Sequence, residues 1–258
     1  MSRARTALLI GLLLATAPTQ AQIVNVLPLA RSLPAGWSGS AQLSLDLRSG
    51  NTALTQFQSR GQLAHLSKSG LLLGVLRSEL RAQGRRTQRR FANATFIHIR
   101  YRHTLALPWQ WEWFAQYEFD EFRRLALRAL VGSGPRFQQE MGRGSFVALG
   151  VAVMGEYERL RTGAEPDAGA VAQGVRLSSY LSVELPLSQR ALMKETVFIQ
   201  PRWGNWDDFR LLSELTLSAA LSQRITLPVG LVLRHDSRPP SGVEPTDVAF
   251  QTAIQFRL

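Results

Sequence analysis

The chain contains no cysteine, so neither a disulfide framework nor a thiolate metal site can contribute to its fold. Histidine is scarce: His65, His98, His103 and His235 lack the paired spacing of a structural zinc site, and no metal or other cofactor is expected. No Pro/Gly/Ser-rich linker divides the 258 residues, which excludes an obvious two-domain arrangement. Beyond residue 21 there is no apolar run of the roughly 20 residues that a membrane-spanning helix needs.

What is present begins with an export pattern. Arg3 and Arg5 precede a short apolar run, and Thr19-Gln20-Ala21 supplies small residues for cleavage. Residues 1–21 are therefore expected to be a signal peptide, 22–36 a periplasmic N-terminal segment, and 37–258 the functional domain. The net charge of +11 falls by two, to +9, when Arg3 and Arg5 leave. On an exported protein such a charge points to a phosphate-rich membrane surface and not to nucleic acid.

Mean hydropathy is only −0.06, yet the hydrophobic period is 2 along nearly the whole length. From Trp37, apolar or small residues (Gly39, Ala41, Leu43, Leu45, Leu47) alternate with polar ones (Ser38, Ser40, Gln42, Ser44, Asp46, Arg48), and Gly50-Asn51-Thr52 then supplies a turn. The clearest run sets Trp109, Trp111, Trp113, Ala115, Tyr117 and Phe119 against Gln110, Glu112, Gln116, Glu118 and Asp120. Repeated runs amount to about twelve strands of roughly 9 to 13 residues, longer than the usual soluble strand and sufficient for a tilted membrane crossing. The weakest, near 194–203, contains Pro201.

Strands can cross hydrocarbon only where every backbone N–H and C=O has a partner, as in a closed cylinder. The fold expected is thus all-β: a transmembrane antiparallel β-barrel with apolar side chains toward lipid and polar ones toward the lumen. Short connections are expected near Lys68, Pro108, Gly142, Ser188 and Gln223, on the periplasmic side, and longer polar loops at 84–90, 158–173 and 236–245 on the other. Two aromatic girdles would follow, with Trp37, Trp109, Trp111 and Phe256 at one rim and Tyr117, Phe119, Phe209, Trp203 and Trp206 at the other. The alternating end through Phe250, Thr252, Ile254, Phe256 and Leu258 resembles the C-terminal strand read by the barrel-assembly machinery, which becomes an expected partner.

Trp37-Ser38-Gly39-Ser40 with Gly50-Asn51-Thr52, then Tyr117, Asp120, Phe122, Leu125 and Arg128, and finally Pro239-Pro240, Gly242 and Thr246-Asp247 resemble the Domain of Unknown Function 481 family, the salt-induced outer-membrane protein-like barrels. The resemblance implies a barrel in the Gram-negative outer membrane and no established substrate. Gly132-Ser133-Gly134-Pro135 departs from the glycine-plus-aromatic run expected there, where local turn geometry is at issue.

The lumen is expected to carry Arg77, Arg81, Arg100, Arg128, Arg176, Arg202 and Arg234 with Glu79, Glu112, Glu118, Asp120, Glu184 and Glu214. Two roles follow from that set. It either neutralises itself and fills a structural envelope barrel, or lines a narrow, porin-like passive channel with a mild anion preference. Arg85, Arg86, Arg89 and Arg90, joined by Arg123, Arg124, Arg159 and Arg161, form a basic outer region suited to lipopolysaccharide phosphates. The alternative is a lipid-modifying hydrolase, with Ser213 facing His235 across neighbouring strands. No nucleophile motif surrounds Ser213, so no catalytic residue is assigned and a non-enzymatic protein is expected.

Overall fold

The computed structural model describes residues 9–11, 33–49, 53–83, 90–222, 224–252 and 254–257. After a three-residue strand β1 (Leu9–Gly11) come twelve longer strands. They are β2 (Gly36–Arg48), β3 (Leu54–Leu66), β4 (Gly70–Gln83), β5 (Arg90–Ala106), β6 (Trp109–Asp120) and β7 (Leu125–Glu140), then β8 (Phe146–Leu160), β9 (Val171–Pro186), β10 (Ala191–Arg202), β11 (Asn205–Ala220), β12 (Ile225–Asp236) and β13 (Thr246–Thr252). A short β14 (Gln255–Arg257) pairs with β12 on one side and with β1 on the other. The remainder of the expected signal peptide, and residues 22–32 of the expected N-terminal segment, lie outside the described residues.

Every consecutive pair from β2 to β13 is antiparallel, which is what hairpin connections dictate and what an all-β meander requires. Among the described residues no ladder joins β2 to β13. The sheet nevertheless curls into a barrel-like form, because side chains three strands apart bond across its concave face. Tyr180 on β9 donates to Glu112 on β6 at 2.8 Å, and Arg210 on β11 donates to Glu158 on β8 at 2.8 Å.

Alternation decides what each face shows. On β6, Trp109, Trp111, Trp113, Ala115 and Tyr117 are exposed on the convex side while Glu112, Phe114, Gln116, Glu118 and Asp120 are buried on the concave side. Leu43 is 71% exposed and Val131 64%, whereas the Arg128 side chain has no exposure at all. A water-soluble sheet protein would bury the first two and expose the third, so the burial pattern is inverted.

The concave side is not purely polar. Leu71, Leu73, Val75, Ala64 and Phe96 form an internal apolar cluster against which Leu33 and Leu66 pack. Smaller clusters gather Phe114, Leu130, Ala152 and Met154, and Tyr180, Phe198 and Leu212 with Val232. Two glycines admit the rings: a Cβ at Gly132 would lie 2.4 Å from Phe114, and one at Gly150 would lie 2.2 Å from Tyr180, its direct cross-strand partner. The segment Gly132-Ser133-Gly134-Pro135, expected to bear on turn geometry, sits instead within β7, where Gly132 clears the Phe114 ring and Gly134 the Val151 backbone.

One rim carries the connections 67–69, 107–108, 141–145 and 187–190, and the other carries 121–124, 161–170, 203–204 and 237–245. The loop expected at 158–173 is shorter than its sequence reading, since β8 continues to Leu160 and β9 begins at Val171. Pro201 is tolerated in β10 because the ladder to β11 shifts register between Pro201 and Arg202.

Candidate functional site

The concave face gathers arginines and carboxylates from nearly every strand. On β5 and β6 the hairpin register sets Arg102 opposite Glu112 and Arg100 opposite Phe114. Arg102 Nε donates to Glu112 Oε1 at 2.7 Å and Arg100 Nη1 to Oε2 at 3.0 Å, while Arg136 on β7 lies 3.8 Å from the same carboxylate. Tyr180 Oη also donates to it, and accepts from Arg136 Nη1 at 2.5 Å. One carboxylate is thus enclosed by three guanidiniums and a phenol, all buried.

A second hub lies toward the rim with the longer loops. Glu156 on β8 contacts Arg128 Nε at 2.5 Å and Arg176 Nε at 2.6 Å, and pairs with Arg210 Nη1. Arg210 continues to Glu158 and to Asp236 at 3.1 Å, and Arg176 to Asp208 at 2.7 Å. Glu118 links Arg123 at 2.8 Å to Arg128 at 3.9 Å, and Asp120 accepts the Arg123 backbone N–H at 3.2 Å. A third group centres on Glu79, which accepts from Gln56 at 2.9 Å and lies 3.4 Å from Arg81. Glu184 pairs with Lys194, Arg202 with Asp208, and Arg234 with Glu214 at 3.3, 3.5 and 3.8 Å.

All thirteen charged residues expected in the lumen lie on the concave face, but they do not form one network. Arg77 is set apart: its guanidinium lies 5.9 Å over the Phe96 ring, and among the described residues it forms no ion pair. Glu156, Glu158, Asp208 and Asp236 were not singled out in the sequence. The signal was available, because Glu156 and Glu158 continue the parity of Ala152 and Met154 after the valine run ends.

Placement at the rims is mixed. Trp37, Trp109, Trp111, Tyr117, Trp203 and Trp206 are exposed, Phe119 and Phe209 are half-buried, and the Phe256 side chain lies outside the described residues. Arg85, Arg86 and Arg89, with the side chain of Arg90, also lie outside them. Arg123 and Arg124, expected to join that basic outer region, are corrected: they are consumed internally. Arg124 donates to Asp167 at 2.7 Å and to the Ser241 carbonyl at 2.8 Å, tying the 121–124 turn to two loops, and Arg161 pairs with Glu121. The Asp167 carboxyl, outside the strands, is held below its ordinary value by the Ser241 N–H and Arg124.

Ser213 and His235 are not brought together. Ser213 is registered against Leu233 and donates to Glu195 Oε1 at 2.8 Å, while His235 Nδ1 bonds Thr246 Oγ1 at 2.8 Å. Each polar atom has another partner, so the serine and the histidine do not form the expected pair.

No curated protein matches the sequence. Among solved structures, the translocator domain of the autotransporter NalP from Neisseria meningitidis aligns at 10% identity over 90% of this chain and 91% of that one, with a TM-score of 0.41. The transport unit of the autotransporter AIDA-I from Escherichia coli aligns at 11% identity over 88% and 92%, with a TM-score of 0.32. A family model described as "Protein of unknown function, DUF481" matches residues 41–256, and since that is most of the chain, the protein belongs to this family.

Proposed function

We propose that the protein is a Gram-negative outer-membrane barrel with an occluded lumen, acting as a structural envelope component and not as an open channel. The observation that carries the reading is the inversion of burial: leucine, valine and tryptophan are exposed around the wall while Glu112, Arg128 and their partners are sealed inside. Apolar wall side chains are stable only against acyl chains, and buried guanidiniums only against carboxylates. Hydrogen bonds crossing from β6 to β9 and from β8 to β11 support this reading, since they narrow the axial path that a passive channel needs. Refolded protein in planar bilayers is expected to give no ion-selective current steps; reproducible steps would overturn occlusion.

The same reading makes the protein non-enzymatic, with lipopolysaccharide meeting the basic outer rim and the assembly machinery meeting the C-terminal strand. Val248, Phe250 and Ile254 at that end are all exposed, as a strand presented for recognition requires. Ser213→Ala and His235→Ala are expected to leave phospholipid turnover unchanged, and loss of a measurable lipid release in either variant would favour the hydrolase. Orientation is tested separately by protease on intact cells, which is expected to cut within 84–90; cleavage only after the envelope is opened would reverse it.

A further inference from the structure

We propose that the cleft beside Arg60 and Arg77 binds the phosphate ester of a polyol, as a free solute or as a lipid headgroup. Register makes the two arginines direct cross-strand partners on β3 and β4, both toward the concave side. Like charges so placed repel unless an anion lies between them. Elsewhere on that face the arginines of the described strands have carboxylates within ion-pair reach, as Arg81, Arg100, Arg128 and Arg176 do. Among the described residues Arg60 and Arg77 have none within that reach.

The charges that do act on Arg77 are Arg60 and Arg234, which repel it, and Glu214, which attracts it but already lies 3.8 Å from Arg234. Arg234 moreover keeps its Nε buried without a hydrogen-bond partner. The Glu112 site shows how this lumen stabilises clustered guanidiniums: three of them surround one anion. Arg60, Arg77 and Arg234 have among the described residues only Glu214 within ion-pair reach to set against their three charges, and it lies at 3.8 Å from Arg234 alone.

Space is present where the charge demands it. A solvent-connected cleft there is lined by Gln58, Arg60, Arg77, Phe96 and the carboxylates Glu79, Glu118 and Asp120, of which Glu79 and Glu118 already face Arg81 and Arg123. Guanidiniums bind phosphate oxygens with paired N–H donors, which favours this group over a halide. Glu79, Glu118 and Asp120 on the same lining oppose a second anionic group and offer acceptors to hydroxyls, which selects a polyol ester over a polyphosphate.

The inference rests on the inward direction of the charged face and not on occlusion. Protein refolded in neutral detergent is titrated with glycerol phosphate or with phosphatidylglycerol micelles, read by calorimetry and by the unfolding temperature. Binding of glycerol phosphate assigns a soluble ligand, and binding of phosphatidylglycerol alone assigns a lipid. Arg60→Gln and Arg77→Gln are each expected to weaken that binding by about tenfold or more, the loss of a charge-assisted hydrogen bond. Without ligand, both variants should unfold at or above the parental temperature because the repulsion is relieved. Arg190→Gln, in an exposed turn at the other end, should bind as the parent does. No binding of either probe, undiminished binding in both cleft variants, or an equal loss in Arg190→Gln would overturn the site. Current steps in bilayers would overturn occlusion alone, so the two failures are distinguishable.

Discussion

Glu112→Gln tests the interior most directly, because it removes one charge and almost no volume. Arg100 and Arg102 have Glu112 as their carboxylate partner at 3.0 and 2.7 Å, and Arg136 lies 3.8 Å away. The four side chains are between 3% and 6% exposed, so water does little screening. Each contact corresponds to roughly 4 kcal/mol of Coulomb attraction at an effective dielectric of about 20, offset by desolvation and by repulsion among the arginines. The net loss on stranding buried cations is expected to be about 3–5 kcal/mol, a large part of the roughly 5–15 kcal/mol of a typical domain. Urea unfolding from lipid vesicles, followed by the fluorescence of the six tryptophans, reads this as a midpoint shift of about 1–3 M. The double variant Glu112→Gln/Arg102→Gln should recover part of the loss by removing one stranded charge. A shift corresponding to less than about 1 kcal/mol, or a double variant no more stable than the single, would refute the assignment of Glu112 as a shared counter-ion.

Three further outcomes follow from other parts of the wall. Val151→Arg places a cation on the convex face and should destabilise the vesicle-embedded protein by about 2–4 kcal/mol if the site lies near the midplane, whereas a solvent-facing wall would change by less than about 0.5 kcal/mol. Gly150→Ala sets a methyl 2.2 Å from the Tyr180 ring and should lower stability by about 1–3 kcal/mol in the same assay, with an unchanged midpoint showing that the ring moves freely. Because the Asp167 carboxyl is depressed on folding, its stabilising contribution is present above the unfolded value of about 3.9 and is lost only as pH falls through the lower folded value. Proteolysis of the 161–170 and 237–245 loops should therefore be equal at pH 7 and pH 5 in the parent and faster in Asp167→Asn at both.

Strand existence and side-chain direction were legible because both depend on parity. The run from Trp109 to Asp120 sorts itself into two faces with no knowledge of any neighbour, and the structure sorts it the same way. Strand ends were less legible where charge replaced the usual apolar partner. In Gly155-Glu156-Tyr157-Glu158-Arg159-Leu160 the alternation persists, but the inward members are acids, and a segment of that composition reads as loop. Inward apolar residues were hidden by the same reasoning in reverse. Leu71, Leu72 and Leu73 form a continuous run in which only Leu72 faces outward, so period alone could not reveal the cluster around Leu73.

Pairing across the lumen is a different matter, since it depends on register accumulated over several ladders. Tyr180 and Glu112 are 68 positions apart, and Arg124 reaches a carbonyl 117 positions away; no local pattern carries that information. Hairpin neighbours stand between these extremes. Once the turns at 107–108 and 67–69 are placed, counting outward sets Arg102 opposite Glu112 and Arg60 opposite Arg77. The first pair explains itself by opposite charge. The second has the same residue type, the same parity and the same kind of hairpin, and yet needs an anion from elsewhere. An arginine facing inward therefore has no fixed meaning in the sequence: whether it fills the barrel or awaits a ligand is set by the nearest carboxylate, a quantity that appears only when all the ladders are closed up together.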